Sequence, residues 1–248
     1  MQGPRLIVHA DDFGLSQKVN EGILEAHRRG ILTSTSLIAC GEAFDHAIQL
    51  ARATPTLDVG VHLTLTEEHP VLERDEIPTL LNEHGRFHVD AGAFMKRYVA
   101  HRISLNDVRR ELDAQIGRVA TQNVRISHID GHQHLHMVPG IRRIVGELAK
   151  EYEVPAIRFP RERLRGYMLL DINNWHRLLE LLVLNFFCTA ADTAGAKQSD
   201  YFFGFYFGGR LTRKNLAKIL EHLPARGTCE LMCHPGLHDA QSPHAHWE

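Results

Sequence analysis

Two adjacent aspartates, Asp11 and Asp12, are the residues of this chain best suited to chemistry. They end a strand-like apolar run over residues 6–10, and Gly14 follows them, as when a β-strand carries charge into a site. A bound cation can keep one carboxylate ionised while the other acts as a base. Asp12 is therefore a candidate metal ligand and Asp11 a candidate base acting on the metal's water. The alternative is a capped turn whose carboxylate only accepts backbone hydrogen bonds.

Histidines further along the chain supply candidate partners. His62 lies in an apolar run, and a second group contains five ionisable residues within nine positions, namely His128, Asp130, His132, His134 and His136. Alternate side chains of an extended segment project to one face, so all five would share a face unless Gly131 interrupts the strand. One or two of them are candidate metal ligands, and the others would orient ligands or build the turn. A histidine-rich polar loop without function is the alternative.

Asp12, His62 and one histidine of the second group would offer one carboxylate and two imidazoles. This set suits a catalytic divalent ion that keeps an open position for water. The ligand types favour Zn²⁺ or another first-row ion, and a carboxylate-containing site also accepts Mg²⁺. The sequence predicts one divalent metal and leaves its identity open.

Two residues nearer the carboxyl end are further candidates. His234 follows the apolar run Leu231–Cys233 and is placed to act as a general acid opposite the base. Arg158 ends a short apolar run and would orient Asp11 or neutralise a charge.

Strand and helix patterns alternate along the chain, which predicts a parallel sheet with crossover helices. Length and spacing favour a distorted, TIM-like (β/α) barrel over a doubly wound sheet. Ligands of both architectures bind at the carboxyl ends of the strands, where the candidate side chains fall. The predicted strands are Arg5–Ala10, Thr33–Ala39, Leu57–Leu65, Arg125–Asp130, Ala156–Phe159 and Thr228–Cys233. The predicted helices are 16–30, Ala43–Ala53, 104–120, 139–151, 171–190 and 212–222.

Two stretches fit this repeat poorly. Residues 67–101 carry many charges, two prolines and Gly85, and they suggest a covering loop or lid. Residues 201–209, YFFGFYFGG, interleave aromatic residues with glycines. Buried core is the favoured interpretation of that segment, and stacking against a sugar ring is the alternative.

Bulk properties narrow the class of protein. A formal net charge of −2 supplies no basic field for a polyanion, so nucleic acid is not an expected partner. The most apolar stretch, 178–187, is too short to span a bilayer, and the amino terminus lacks a signal peptide. The four cysteines show no CxxC pair, which favours a reducing cytoplasm. A homodimer is the default expectation for a soluble oligomer.

The motifs, taken together, resemble those of the YdjC-like carbohydrate deacetylases, the group that includes diacetylchitobiose deacetylase and the hopanoid-associated deacetylases. The matching segments spread over nearly the whole chain in the family's order. They are HADDFGLS at 9–16, GILTSTSLIACG at 30–41, GVHLTL at 60–65, HIDGHQHLHMVPG at 128–140 and ELMCHPG at 230–236.

The resemblance implies a distorted β/α barrel that uses a divalent metal and an activated water to remove the acetyl group from an N-acetylated amino sugar, such as a chito-oligosaccharide. It implies that Asp12, His62 and His132 are metal ligands, Asp11 the general base and His234 the general acid. His134 and His136 would line the site. Family members usually continue beyond the His-Pro motif, so the expectation is a single domain over 1–248 that lacks a final helix and strand.

Three other functions compete with this hypothesis. A metal-dependent phosphoesterase would use similar ligands but would need basic residues or a phosphate-binding loop near the site. A glycosidase would need its two carboxyls on opposite sides of the scissile bond, which adjacent aspartates do not provide. A non-catalytic metal-binding protein would leave Asp11 and His234 without a role.

Overall fold

A parallel sheet that curls into a distorted α/β barrel forms the centre of the fold, which confirms the predicted fold class. The structure is a computed structural model and describes residues 3–171, 174–189 and 195–237. The strands run in the order β4-β3-β2-β1-β6-β5, so β1 lies in the middle. They are Arg5–Phe13 (β1), Ser34–Leu37 (β2), Asp58–Leu63 (β3), Ile126–Gly131 (β4), Tyr201–Phe203 (β5) and Thr228–Cys233 (β6).

A single segment, 156–162, contacts both edges of the sheet. Ile157 pairs with Ile129 of β4, and Glu162 pairs with Phe202 of β5. The predicted strand over 156–159 is wrong in extent, because these pairings are isolated bridges. The sequence places prolines at 155 and 160, and proline has no backbone N–H to extend a ladder. The two edges are thus joined through short bridges, which accounts for the distortion of the barrel.

Helices connect successive parallel strands, as such crossovers require. They are Gln17–Arg29 (α1), Phe44–Ala53 (α2), Ala91–Val99 (α3), Leu105–Ala120 (α4), Ile141–Glu151 (α5), Gly166–Leu169 (α6), Trp175–Thr189 (α7) and Arg213–Leu220 (α8), with a 3₁₀ segment at His132–Met137. Residues 172, 173 and 190 of the predicted helix 171–190 lie outside the described residues. Within the described ranges, no helix combines the length and apolar character needed to cross a bilayer.

Helix starts follow the capping residues that the sequence indicates. Ser16 and Ser104 accept hydrogen bonds from backbone amides three residues ahead and cap α1 and α4. Pro139, predicted to lie in the first turn of α5, precedes it instead. The N-cap is Gly140, whose φ of 88° is easily adopted only without a side chain.

The prediction of a loop or lid over 67–101 is wrong for its last part. Asp90 caps α3 by accepting a hydrogen bond from the amide of Ala93, and Phe94 is fully buried. Ile77 and Phe87 are also buried, so the segment packs against the hydrophobic core. The many charges and Gly85 made this stretch resemble a loop, although Asp90 is an ordinary helix cap and Phe94 an apolar residue of the core.

The aromatic segment 201–209 is largely core, as predicted. Phe202, Phe203, Tyr206 and Phe207 are all buried. The first three residues of the segment form β5, a strand that the sequence pattern did not indicate.

Candidate active site

A β-bulge in β1 brings both aspartates into one buried cluster. Ala10 pairs with Thr35 of β2, and Phe13 pairs with Leu37, so β1 contains one extra residue between these two pairs. The backbone of Asp12 is left-handed, with φ of 68°. Regular strand geometry would send neighbouring side chains to opposite faces. The bulge removes that alternation, and both carboxylates are buried.

Asp12, His62 and His132 form the candidate metal centre. The Asp12 Oδ1 atom lies 3.3 Å from His62 Nε2 and 3.3 Å from His132 Nδ1. One ligand atom from each residue lies within 4.8 Å of the others, and all three side chains are buried. His62 comes from the end of β3 and His132 from the residue after β4, so the predicted convergence of these segments is observed.

The buried Asp12 Oδ1 atom makes no hydrogen bond, although two imidazole nitrogens lie close to it. Leaving a buried carboxylate oxygen without a hydrogen bond is costly, and a cation held between oxygen and nitrogens would satisfy it. One carboxylate and two imidazoles suit a first-row divalent ion. The residues present therefore fit a metal.

Each candidate histidine ligand also contacts a second carboxylate through its other ring nitrogen. His62 Nδ1 donates to Asp130 Oδ1 at 2.8 Å, and His132 Nε2 donates to Glu67 Oε2 at 2.8 Å. Such carboxylate partners fix the imidazole tautomer in metal sites. The roles of Asp130 and Glu67 were not predicted, although a Glu-Glu pair soon after the strand with His62 was an available signal.

Electrostatics favour charged forms in this cluster. Burial opposes charge at His62, but the Asp130 carboxylate, its hydrogen bond to the ring and the nearby Asp12 carboxylate raise the pKa of His62 to about 10. Burial likewise opposes charge at His132, yet Asp12 and Glu67 raise its pKa to about 9. The same contacts hold the pKa of Asp12 well below its usual value despite burial. Without a metal, both imidazoles are therefore protonated on both ring nitrogens and positively charged at neutral pH.

Arg158 joins three buried carboxylates. Its guanidinium donates to both oxygens of Asp11, at 2.9 and 2.8 Å, and to Glu230 at 2.6 Å. It also lies 2.8 Å from Asp130. Burial raises the pKa of Asp11, but Arg158, His62 and His9 together outweigh burial and lower the pKa overall. Arg158 thus both orients Asp11 and keeps it ionised.

His234 stands at the rim of the cluster, directly after β6. Its Nε2 atom lies 3.9 Å from one oxygen of Asp11 and 3.9 Å from one oxygen of Asp12. The side chain is 29% exposed, whereas those of the two aspartates are 4% and 5% exposed. His234 is therefore the member of the predicted set that is most open to a ligand.

Close packing against α1 holds the chain just beyond His234. A Cβ on Gly22 would lie 2.7 Å from backbone atoms of Gly236, so only glycine permits this approach. The Leu237 amide also donates to the Lys18 carbonyl at 3.2 Å. These contacts fix the segment that carries the imidazole.

The remaining histidines of 128–136 do not share one face, because the strand ends at Gly131 and Gln133 and His134 are left-handed. His134 packs against Phe202 and Phe205. His136 Nε2 donates to the Arg158 carbonyl at 3.0 Å. Burial lowers the pKa of His136 to about 4, so it is neutral at physiological pH.

A second cluster of potential ligands consists of His9, His128 and Asp130. Burial lowers the pKa of His128 to about 3. The Arg158 cation, 2.8 Å from Asp130, disfavours another cation here. Asp12, His62 and His132 remain the better metal centre.

Comparison with known proteins assigns the chain to a family. The family model described as YdjC-like protein matches residues 5–248. The chain belongs to the YdjC-like family. This confirms the resemblance carried by the motifs.

The proteins that this chain resembles include two whose names describe an activity. The carbohydrate deacetylase of Brevibacillus brevis is 36% identical over 237 residues, covering 95% of this chain and 82% of the relative. The chitooligosaccharide deacetylase of Serratia marcescens is 34% identical, covering 97% and 86%.

The YdjC-like fold of this chain is also similar to a solved structure. It is an Enterococcus faecalis V583 protein named for cellobiose-phosphate cleavage, with a TM-score of 0.76 and 28% identity. The match covers 96% of this chain and 83% of that one.

Proposed function

We propose that this YdjC-like protein is a divalent-metal-dependent hydrolase that removes the acetyl group from N-acetylated amino sugars. The observation that carries the proposal is the division of the aspartate pair. Asp12 faces two imidazoles, whereas Asp11 is held ionised by Arg158. The names of the bacterial relatives, carbohydrate and chitooligosaccharide deacetylase, support the substrate class.

The reaction needs a base, an acid and a means of activating water. A divalent ion held by Asp12, His62 and His132 supplies Lewis acidity to a water and to the acetamide oxygen when bound. Asp11 accepts the proton of the water that attacks the acetamide carbonyl. His234 donates a proton to the departing amine, so that acetate and a free amino sugar leave.

A cavity beside His234 is the proposed place for the sugar. It has a volume of about 270 Å³, and its walls come from the segment after β5, the end of β6 and the two residues that follow β6. The lining residues are Gly204, Phe207, Gly208, Gly209, Arg210, Leu211, Met232, Cys233, His234 and Pro235. Mixed apolar and polar walls of this kind suit a sugar, which has apolar faces and polar edges.

The donor set bears on the identity of the metal. Mg²⁺ prefers oxygen ligands, whereas imidazole suits Zn²⁺ and other first-row ions. Because two of the three proposed ligands are imidazoles, we propose Zn²⁺ or a similar first-row ion over Mg²⁺.

Removal of the metal is expected to abolish acetate release from diacetylchitobiose. His62→Ala is expected to lose both bound metal and activity, because it removes one of three ligands. His84→Ala, at a side chain 77% exposed, is the matched control and should change neither. Acetate release before and after chelation, with metal content by elemental analysis, tests this. Full activity after exhaustive chelation would refute metal dependence, and release of phosphate from sugar phosphates would favour the phosphoesterase alternative.

The affinity for Zn²⁺ is expected to rise between pH 6 and pH 8. In the metal-free protein His62 and His132, with pKa values of about 10 and about 9, must lose protons before they bind the ion. Each proton released makes the dissociation constant fall about tenfold per pH unit. Competition with a chelator of known affinity measures this slope, and a flat profile would contradict the assignment of these ligands.

A further inference from the structure

We infer that Glu67 is a positioning residue that fixes the orientation and tautomer of His132, a role that rests on the proposed metal centre. The His132 ring lies between two carboxylates. Its Nδ1 atom is 3.3 Å from Asp12, and its Nε2 atom is 2.8 Å from Glu67. A carboxylate that accepts the Nε2 proton leaves the Nδ1 lone pair directed toward the Asp12 side, where the metal would bind.

Both carboxylate oxygens of Glu67 are engaged. Oε2 accepts from His132, and Oε1 accepts from the Gln133 side chain at 3.0 Å. These two donors are neighbours in the chain, so one carboxylate holds the start of the 3₁₀ segment at two points. Gln133 has a φ of 50°, a left-handed conformation that needs such support.

The backbone of Glu67 is also anchored. Its amide donates to the His88 carbonyl at 2.8 Å, and its own carbonyl accepts from Arg86 at 3.2 Å. Its φ of 68° is left-handed. A left-handed backbone is uncommon for glutamate. Here it occurs at the residue whose carboxylate contacts His132.

A carboxylate also contacts His62 through the ring nitrogen that does not face Asp12, but that carboxylate is harder to change on its own. Asp130 is fully buried and shares Arg158 with Asp11, so a change there would disturb the base as well. The Glu67 side chain is 22% exposed. Substitution of Glu67 therefore isolates the effect on a single ligand.

Glu67→Ala is expected to weaken Zn²⁺ binding about 10- to 100-fold, the usual effect of losing such a partner. Glu67→Gln should lose less, because its amide oxygen can accept the same hydrogen bond. The matched control is Glu83→Ala, at a side chain 84% exposed in the same segment. Competition with a chelator gives the dissociation constants. Imidazole nitrogen NMR of the Zn²⁺-loaded protein should show a protected His132 Nε2 proton that exchanges faster in Glu67→Ala.

Two results separate this inference from the proposed function. If His62→Ala loses Zn²⁺ while Glu67→Ala binds as tightly as the unmodified protein, the role of Glu67 is wrong and the metal centre stands. If neither His62→Ala nor Glu67→Ala changes binding, the metal centre itself is misassigned and the inference falls with it. Circular dichroism of each variant identifies misfolding, and Glu67→Gln, which keeps shape and polarity, remains the test if Glu67→Ala does not fold.

Discussion

Asp11→Asn is expected to lower kcat about 100- to 10,000-fold while Zn²⁺ stays bound, since this is the range for loss of a general base. Asparagine keeps the shape of the side chain but cannot accept the proton of the attacking water. The ion should remain because Asp12, rather than Asp11, faces both imidazoles. Single-turnover acetate release and the Zn²⁺ content of the same preparation measure the two effects separately.

Asp45→Asn on α2 is the control for this substitution, because Asp45 is exposed. It should leave both measurements unchanged. Loss of the ion in Asp11→Asn would overturn the assignment of separate roles to the two aspartates. Unchanged kcat with the ion in place would show that Asp11 is not the base of the reaction.

Arg158→Met is expected to reduce the free energy of unfolding by about 3–5 kcal/mol, the usual cost of leaving buried charges unpaired. Asp11, Asp130 and Glu230 would all lose the cation that now contacts them. Urea unfolding measures the difference. The control is Arg109→Met, which removes ion pairs with partly exposed Glu147 and Glu151 and should cost at most about 1 kcal/mol.

Acidification should reduce the difference in free energy of unfolding between Arg158→Met and the unmodified protein. The pKa of Asp11 and that of Asp130 are lowered in the folded protein, so their contribution to stability is present above the unfolded pKa and is lost as pH falls. Without Arg158, burial would raise these pKa values, and the folded variant would gain stability by binding protons as pH falls. A difference that stays constant from pH 7 to pH 4, or one below about 1 kcal/mol at pH 7, would contradict this account.

The position of the site was predictable because it depends on local sequence and one topological rule. Asp11, Asp12, His62 and His234 each follow or end an apolar run, and parallel strands bring their carboxyl ends together. Both aspartates were also expected to reach the rim of the site. The sequence pattern suggested a turn at the residues after the pair, whereas the structure has the irregularity at Asp12 itself.

Contacts between distant residues account for what was missed. Glu67 meets His132 across 65 positions, and Arg158 meets Glu230 across 72. Neither the hydrophobic periodicity of a segment nor a helix-capping residue indicates such pairings. The closure of the sheet by isolated bridges at 156–162 has the same cause, because two short contacts leave no strand pattern in the sequence.

The left-handed backbone of Asp12 has a consequence for how such a protein diverges. Glycine and asparagine adopt this conformation at least as readily as aspartate, and neither brings a buried charge. A mutation to glycine would relieve the backbone strain at this position, but it would also remove the carboxylate that His62 and His132 now face. Under the proposed role of Asp12 as a metal ligand, selection for catalysis and the contacts with the two imidazoles would together keep aspartate at this strained position.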